Sequence, residues 1–203
     1  NGSTWTELLR VYSSAHVRKL VKSIDARGFD AIRLGTAEGV WIIDFDAQQA
    51  TLLHDMSSHI GEANCRDMIG DPYVPVENAG LLEIYPDHRV IDDGFDRDDG
   101  LPSGKMAPIN TLWRTNHWLF AGTATNFESG TVRAASTTAG VYVMNPETRT
   151  WHYIAKASAV NKDIFSIIYS NRADNLYRLY FWESAYGTTA ATPYYINMPD
   201  VND

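Results

Sequence analysis

The stretch GVYVMNPETRTW, residues 140–151, decides the fold because the chain repeats its pattern about four times. It reads as an apolar strand, a turn at Asn145-Pro146-Glu147, and a second strand that ends in Thr150-Trp151. Related segments begin at three other places: GVWIIDFDAQQATLL at Gly39, GLLEIYPDHRVI at Gly80 and PYYINMPDVND at Pro193. In the copies that begin at Gly80, Gly140 and Pro193, a proline followed by an acidic residue occupies the same position, which suits a tight turn. The spacing is typical of a repeat architecture.

A second recurring unit precedes three of these hairpins, at residues 17–36, 109–123 and 164–182. Each copy alternates apolar and polar positions and is rich in β-branched and aromatic residues, which indicates strands. Leu34-Gly35-Thr36 in the first copy matches Ala121-Gly122-Thr123 in the second. The segment at 60–78 is too degraded to align. Each repeat is therefore predicted to hold about four short antiparallel strands.

The N-terminus supplies a further strand in this scheme. Thr4-Trp5 matches Thr150-Trp151, so residues 4–12 are predicted to form a fourth strand that completes the last sheet and closes a small ring. Two alternatives stay open: the repeats form an arc of a larger ring, or residues 4–12 form a helix that begins with the capping-box pattern of Thr4 and Glu7. We expect one all-β, propeller-like domain over residues 1–203, as part of a longer or processed chain.

These repeats resemble known β-propeller blades. The GVYVMNPETRTW hairpin is similar to kelch repeats, although the kelch double glycine is missing, and residues 17–44 resemble the propeller repeats of bacterial two-component sensors. Similar blades occur in structural proteins of phage tails and necks. The resemblance implies a fold and leaves the function open, because propellers host enzymes, scaffolds and receptors alike.

Composition narrows the functional classes. The 203 residues are 44% hydrophobic, enough for a substantial core, and no run of residues is long and apolar enough to predict a membrane span. The net charge of -8 and the lack of a basic cluster argue against a nucleic-acid partner. A single cysteine excludes an internal disulfide.

One acidic loop is a candidate Ca²⁺ site, the only cofactor that the sequence suggests. Its five carboxylates within eight residues are those of Asp92, Asp93, Asp96, Asp98 and Asp99. Clustered carboxylates with flanking glycines suit a hard, oxygen-seeking cation. The spacing does not fit an EF-hand, and a solvated loop between blades is the alternative.

A second cluster, His54, His59 and Cys65 with Glu62 between them, matches no zinc signature. Cys65 is expected to be a small buried residue and not a nucleophile.

Aromatic residues are concentrated near the C-terminus, where they fit either sugar stacking or packing between blades. They are Tyr177, Tyr180, Phe181, Trp182, Tyr186, Tyr194 and Tyr195, to which Trp113 and Trp118 are added. Most follow the strand period, which favours packing. Glu183 beside them is a lone carboxylate and not an acid/base pair. Arg33, Arg114 and Arg178 invite comparison with the sialidase arginine triad. However, Arg33 and Arg178 occupy equivalent positions of the repeat, Arg114 falls on a different strand, and the sialidase aspartate-box pattern is missing, so no catalytic residue is predicted.

The favoured hypothesis is a non-catalytic binding or structural module that contacts other proteins in an assembly such as a phage tail or neck. A carbohydrate-binding or carbohydrate-cleaving propeller, using Trp182, Glu183 and Tyr186, is one alternative, with a glycan as partner. A ligand-sensing propeller is the other. The expected contact surface consists of loops between second and third strands, represented by Glu38, Glu128, Arg133 and Tyr186. A virion or extracellular location is favoured over the cytoplasm.

Overall fold

The computed structural model describes residues 17–59, 64–69, 72–76, 80–94, 108–124, 139–171, 177–185, 188 and 190–198. Apart from a short 3-10 helix at Ser57–His59, every regular element in these residues is a β-strand. The strands form four antiparallel sheets, and within each sheet a strand pairs with the next strand in the chain. We call these sheets blades 1 to 4. The prediction of an all-β, propeller-like fold is confirmed.

Blade 1 contains β1 (Val17–Ile24), β2 (Asp30–Thr36), β3 (Gly39–Asp44) and β4 (Gln49–Asp55). Blade 2 contains β5 (Tyr73–Val76), β6 (Gly80–Ile84) and β7 (Val90–Asp92). Blade 3 contains β8 (Ile109–Arg114), β9 (Leu119–Thr123), β10 (Gly140–Asn145) and β11 (Thr150–Lys156). Blade 4 contains β12 (Lys162–Asn171), β13 (Tyr177–Ala185) and β14 (Ala191–Met198). The predicted hairpins that begin at Gly39, Gly80 and Gly140 are present, and the copy at Pro193 is seen as β14 alone. The turn of that last copy and the predicted strand at 4–12 lie outside the described residues.

The hairpin turns repeat in backbone shape as well as in sequence. Gln48, His88 and Arg149, near the start of the last strand of blades 1, 2 and 3, have positive φ angles of 51°, 66° and 54°. In blade 1, where the proline is missing, Asp44 Oδ1 accepts the N–H of Ala47 at 2.9 Å. In blade 3, where Pro146 is present, Asn145 Oδ1 likewise accepts the N–H of Glu147 at 2.8 Å, so a side-chain acceptor at the strand end supports the turn with or without proline.

The Gly-Thr match between the repeats has a physical basis. The hydroxyls of Thr36 and Thr123 accept the N–H groups of Gly39 at 3.1 Å and Gly140 at 2.9 Å, which joins the end of the second strand to the start of the third in blades 1 and 3. Because both groups are buried, these bonds satisfy backbone donors that would otherwise be costly to desolvate.

The glycines of the same motif let neighbouring blades approach closely. A Cβ at Gly35 would lie 2.5 Å from Cys65 Cβ, and one at Gly122 would lie 2.6 Å from Ile164 Cγ2. Both distances are too short for a real contact. Glycine is therefore required where blade 1 meets the segment before blade 2 and where blade 3 meets blade 4.

The core consists of three apolar clusters, one at each junction between consecutive blades. Adjacent residues of one strand face different junctions: Val74 packs towards blade 1 and Tyr73 towards blade 3, as strand alternation requires. In the described part of the chain no such cluster joins blade 4 to blade 1.

The outer faces of blades 1 and 4 keep exposed apolar side chains. On blade 1, Leu20 is 55% exposed, and on blade 4, Phe165 is 41% and Tyr195 is 55% exposed. Within the described ranges, no helix is long and apolar enough to cross a membrane.

Candidate functional site: a cavity between the blades

The first strands of blades 1, 3 and 4 share one irregularity. A β-bulge interrupts the pairing between Val17 and Lys19 in β1, between Ile109 and Thr111 in β8, and between Ile164 and Ser166 in β12. Bulges bend a strand and redirect the side chains that follow them. The residues just after the three bulges, Lys19, Thr111 and Ser166, all line one cavity.

This central cavity has a volume of about 430 Å³, within the usual range for small-molecule sites. The residues that line it come from the first strands of blades 1, 3 and 4 and from the segment that precedes β5 in blade 2. They are Lys19, Asp67, Met68, Ile69, Thr111, Leu112, Trp113, Arg114, Ser166, Ile167 and Ile168. Three blades and the segment between blades 1 and 2 therefore contribute to one site.

Asp67 is the polar centre of the cavity wall. Its Oδ1 lies 2.7 Å from Lys19 Nζ of blade 1, and its Oδ2 accepts the Leu112 N–H at 2.9 Å and the Thr111 hydroxyl at 3.2 Å, both from blade 3. The Asp67 side chain is only 15% exposed, so these contacts form in a partly dry setting. The carboxylate thus connects blades 1 and 3 to the segment that precedes β5.

The rest of the wall combines cations with apolar surface. The Arg114 guanidinium lies over the Tyr73 ring at 5.3 Å, which restricts its position. Trp113 is 37% and Ile168 38% exposed. Lys19, Arg114 and Asp67 are the charged residues of the described lining, and Lys19 is paired with Asp67.

Several residues of the predicted contact surface lie outside the described residues, namely Glu128, Arg133 and Tyr186. Glu38 occupies the turn between β2 and β3, is half-buried, and accepts the Met56 N–H on its carbonyl oxygen at 2.7 Å. The structure does not bring Glu38 to the cavity.

Glu183 and Trp182 lie side by side on β13, away from the cavity lining. Glu183 is 1% exposed, and its carboxylate accepts the Ser158 hydroxyl at 2.6 Å and the Ser158 N–H at 3.1 Å. This carboxylate therefore holds the segment after β11 against blade 4. Trp182 is half-buried.

The aromatic residues of blade 4 largely stack on one another, as the strand period predicts. Phe181 stacks on Tyr194 at 5.6 Å and Tyr180 packs on Tyr195 at 6.0 Å. Arg178 lies over the same Tyr195 ring at 4.7 Å.

The three arginines and the two tryptophans that the sequence grouped together lie in different parts of the structure. Of the three arginines, Arg33 is fully buried in blade 1, Arg114 lines the cavity and Arg178 covers the outer face of blade 4. Trp118 packs against the cluster between blades 3 and 4, while Trp113 lines the cavity. The arginines therefore form no common anion site of the sialidase kind.

The acidic loop is described only at its start. Asp92 is exposed, and its Oδ1 accepts the Gly94 N–H at 2.8 Å, whereas Asp93 is 2% exposed. Asp96, Asp98 and Asp99 lie outside the described residues. The calcium site therefore stays a prediction.

Asp93 belongs to a buried charged cluster at the junction of blades 2 and 3. Its Oδ1 lies 3.1 Å from Arg149 Nε, and Arg149 also lies 3.5 Å from Glu83, whose carboxylate accepts the Tyr85 hydroxyl. Burial, followed by the neighbouring Glu83 carboxylate, raises the pKa of Asp93 to about 7. Trp151 Nε1 donates to the Asp93 carbonyl at 2.9 Å, which fixes the backbone there.

Cys65 is fully buried, as the sequence indicated, and this burial raises the pKa of its thiol to about 12. Burial also lowers the pKa of His54. The His59 side chain and Glu62 are not among the described parts. Among those that are, no three His, Cys, Asp or Glu residues are grouped as a metal site would require.

The sequence matches no protein-family model and no curated protein. Its fold does match a crystal structure of the extracellular domain of BT4673 from B. thetaiotaomicron, described as a hybrid two-component system, with a TM-score of 0.50 and 14% identity over 88% of this chain. A second structure of that domain, described as a one-component system, gives a TM-score of 0.49 and 15% identity over 84% of this chain. The matched regions are 22% and 21% of those chains, so this chain spans about a fifth of their length.

Proposed function

We propose that this chain is a section of an extracellular, ligand-sensing β-propeller and that it binds a small molecule in the central cavity. The observation that carries the proposal is the cavity of about 430 Å³ to which three blades and the segment before blade 2 contribute. A ligand bound there would contact three sheets and this segment at once. Its binding energy would therefore depend on how the blades are placed relative to one another, which is what a sensor requires.

The structural match supports the sensor alternative over the phage-assembly hypothesis, because it is with the extracellular domain of a described two-component system. No contact in the described residues favours a virion partner. The exposed apolar faces of blades 1 and 4, together with the greater length of the matched chain, support an arc within a larger ring over a closed four-blade ring.

A ring-bearing ligand such as a sugar is the second candidate, and Trp113 favours it. This side chain is 37% exposed at the cavity wall, where an indole face can stack against a ring. The tryptophan that the sequence suggested for this role, Trp182, is not part of the lining.

The test is a thermal-shift screen of small metabolites against the wild type and two matched variants. Ser166→Trp places an indole in the cavity, whereas Ser170→Trp changes the same strand, β12, outside the lining. A ligand of this site should raise the melting temperature of the wild type and of Ser170→Trp, and leave Ser166→Trp unchanged. A shift that persists in Ser166→Trp would place the binding elsewhere, and a screen without any shift would remove the proposal.

A further inference from the structure

We infer that the central cavity takes a flat, apolar ring, as in an aromatic compound and unlike a sugar, and that Trp113 and Ile168 form the surface on which the ring lies. This inference rests on the proposed function and adds the chemical class of the ligand. Its basis is the difference between the wall side chains that stay accessible and those that are already engaged.

Trp113 and Ile168 occupy equivalent positions on neighbouring strands. Trp113 lies two residues after Thr111, which follows the bulge in β8, and Ile168 lies two residues after Ser166, which follows the bulge in β12. Residues two apart in a strand point to the same face, so the bulges direct both side chains to the cavity that they line. Because β12 packs against β8, these side chains belong to adjacent parts of one wall.

These two side chains supply the accessible apolar surface of the first strands. Trp113 is 37% and Ile168 38% exposed. The residues just before them, Leu112 and Ile167, are 4% and 2% exposed because they pack into the core clusters between blades. Large apolar side chains that stay exposed inside a concave site are a typical contact surface for a ligand. A flat ring that lies on the indole would remove both apolar surfaces from water.

The polar groups of the wall are mostly engaged with one another. Asp67 Oδ1 contacts the Lys19 ammonium at 2.7 Å, and Asp67 Oδ2 accepts the Thr111 hydroxyl at 3.2 Å. The Arg114 guanidinium lies over the Tyr73 ring at 5.3 Å. A sugar would bring several hydroxyl groups into the cavity, and each one that found no partner would weaken binding because it had lost its water. An apolar ring has no such requirement.

Ser166 can supply one polar contact to a substituent on the ring. Its side chain is half-buried in the lining, two residues before Ile168. A serine hydroxyl can donate one hydrogen bond and accept others. The expected ligand is therefore an aromatic ring that carries a hydrogen-bonding group such as a phenolic hydroxyl.

The experiment compares three uncharged probes by titration into the wild type, followed by the NMR signals of the probe. They are naphthol, its saturated analogue decahydronaphthol, which keeps the carbon skeleton and the hydroxyl but is not flat, and the sugar maltose. Naphthol should bind about three- to tenfold more tightly than decahydronaphthol, the worth of stacking on an aromatic ring, and maltose should bind most weakly. Equal affinity for naphthol and decahydronaphthol, or tighter binding of maltose than of naphthol, would overturn the inference.

The variant Trp113→Leu should remove the preference for naphthol over decahydronaphthol, because leucine keeps an apolar contact but has no flat ring. Trp41→Leu is the matched control, since Trp41 is half-buried on β3 and outside the described lining. A preference that persists in Trp113→Leu would contradict the inference. Ile168→Ser should weaken the binding of both compounds, because it removes apolar surface from the wall.

The outcome also separates this inference from the proposed function. If naphthol fails to bind while a metabolite raises the melting temperature of the wild type and not of Ser166→Trp, the ring class is wrong and the small-molecule site stands. If neither naphthol nor any metabolite binds, both are wrong.

Discussion

Replacing Asp93 by asparagine tests the buried charge cluster at the junction of blades 2 and 3. The pKa of Asp93 is about 7 in the folded protein, against an ordinary value of 3.8. Because the folded state holds the proton more tightly, its stability relative to the unfolded chain is greatest below pH 3.8 and falls as the pH rises through 7.

The size of the effect follows from this difference in pKa. Each unit is worth about 1.4 kcal/mol, so the whole window contributes at most about 4 kcal/mol. Between about pH 6 and about pH 8.5 the unfolded chain is already ionised, and the folded carboxyl loses its proton, which lowers the free energy of unfolding by roughly 1 kcal/mol. This range also keeps the protein away from its isoelectric point near 5.2.

The assay is urea unfolding followed by tryptophan fluorescence at several pH values within that range. Wild-type stability should fall by roughly 1 kcal/mol more than that of Asp93→Asn. Asp92→Asn is the matched control, since it removes an exposed carboxylate one residue away. If the wild type and Asp93→Asn lose the same stability over the range, Asp93 is ionised throughout and the reasoning is refuted.

Three further predictions concern packing, reactivity and metal binding. Gly122→Ala should lower the free energy of unfolding by about 1–3 kcal/mol, because the new methyl group would lie 2.6 Å from Ile164 Cγ2; urea unfolding that matches the wild type would contradict the close approach. Cys65 should resist a thiol reagent in the native protein and react after unfolding in urea, because it is buried with a thiol pKa of about 12; rapid native labelling would oppose this. Calcium should release heat on titration into the wild type and not into the double variant Asp96→Ala and Asp98→Ala, and equal traces would leave only a solvated loop.

The fold could be predicted because its signals are local in the chain. Alternation along β10 and β11 and the turn at Asn145 identify a hairpin without reference to any other blade. The sequence identified the shared Gly-Thr pair as a repeat but did not show what each of its two residues does. Its threonine closes a turn and its glycine admits the next blade, which only the packed structure shows.

The site could not be predicted in the same way. The three bulges after Val17, Ile109 and Ile164 are set by pairing geometry and leave no mark in composition. The cavity residues are also far apart in sequence, from Lys19 to Ile168. The sequence singled out Trp113 as an aromatic residue and Arg114 as part of a possible arginine triad. No sequence pattern distinguished Lys19 or Asp67. Glu183 is the opposite case, a residue that the sequence suggested and the structure uses elsewhere. Its place beside aromatic residues suggested carbohydrate binding, but its carboxylate oxygens accept hydrogen bonds from Ser158.

The serial order of the three apolar junctions has a consequence for how the protein unfolds. When each sheet is stabilised mainly by its immediate neighbours, cooperativity spreads stepwise, as in a linear array of repeats, and the terminal units open before the middle ones. Amide hydrogens of blades 2 and 3 should then exchange more slowly than those of blades 1 and 4. The contacts of Asp67 with blades 1 and 3 oppose this stepwise opening, and a molecule held beside it would turn a series of separable sheets into a single unfolding unit.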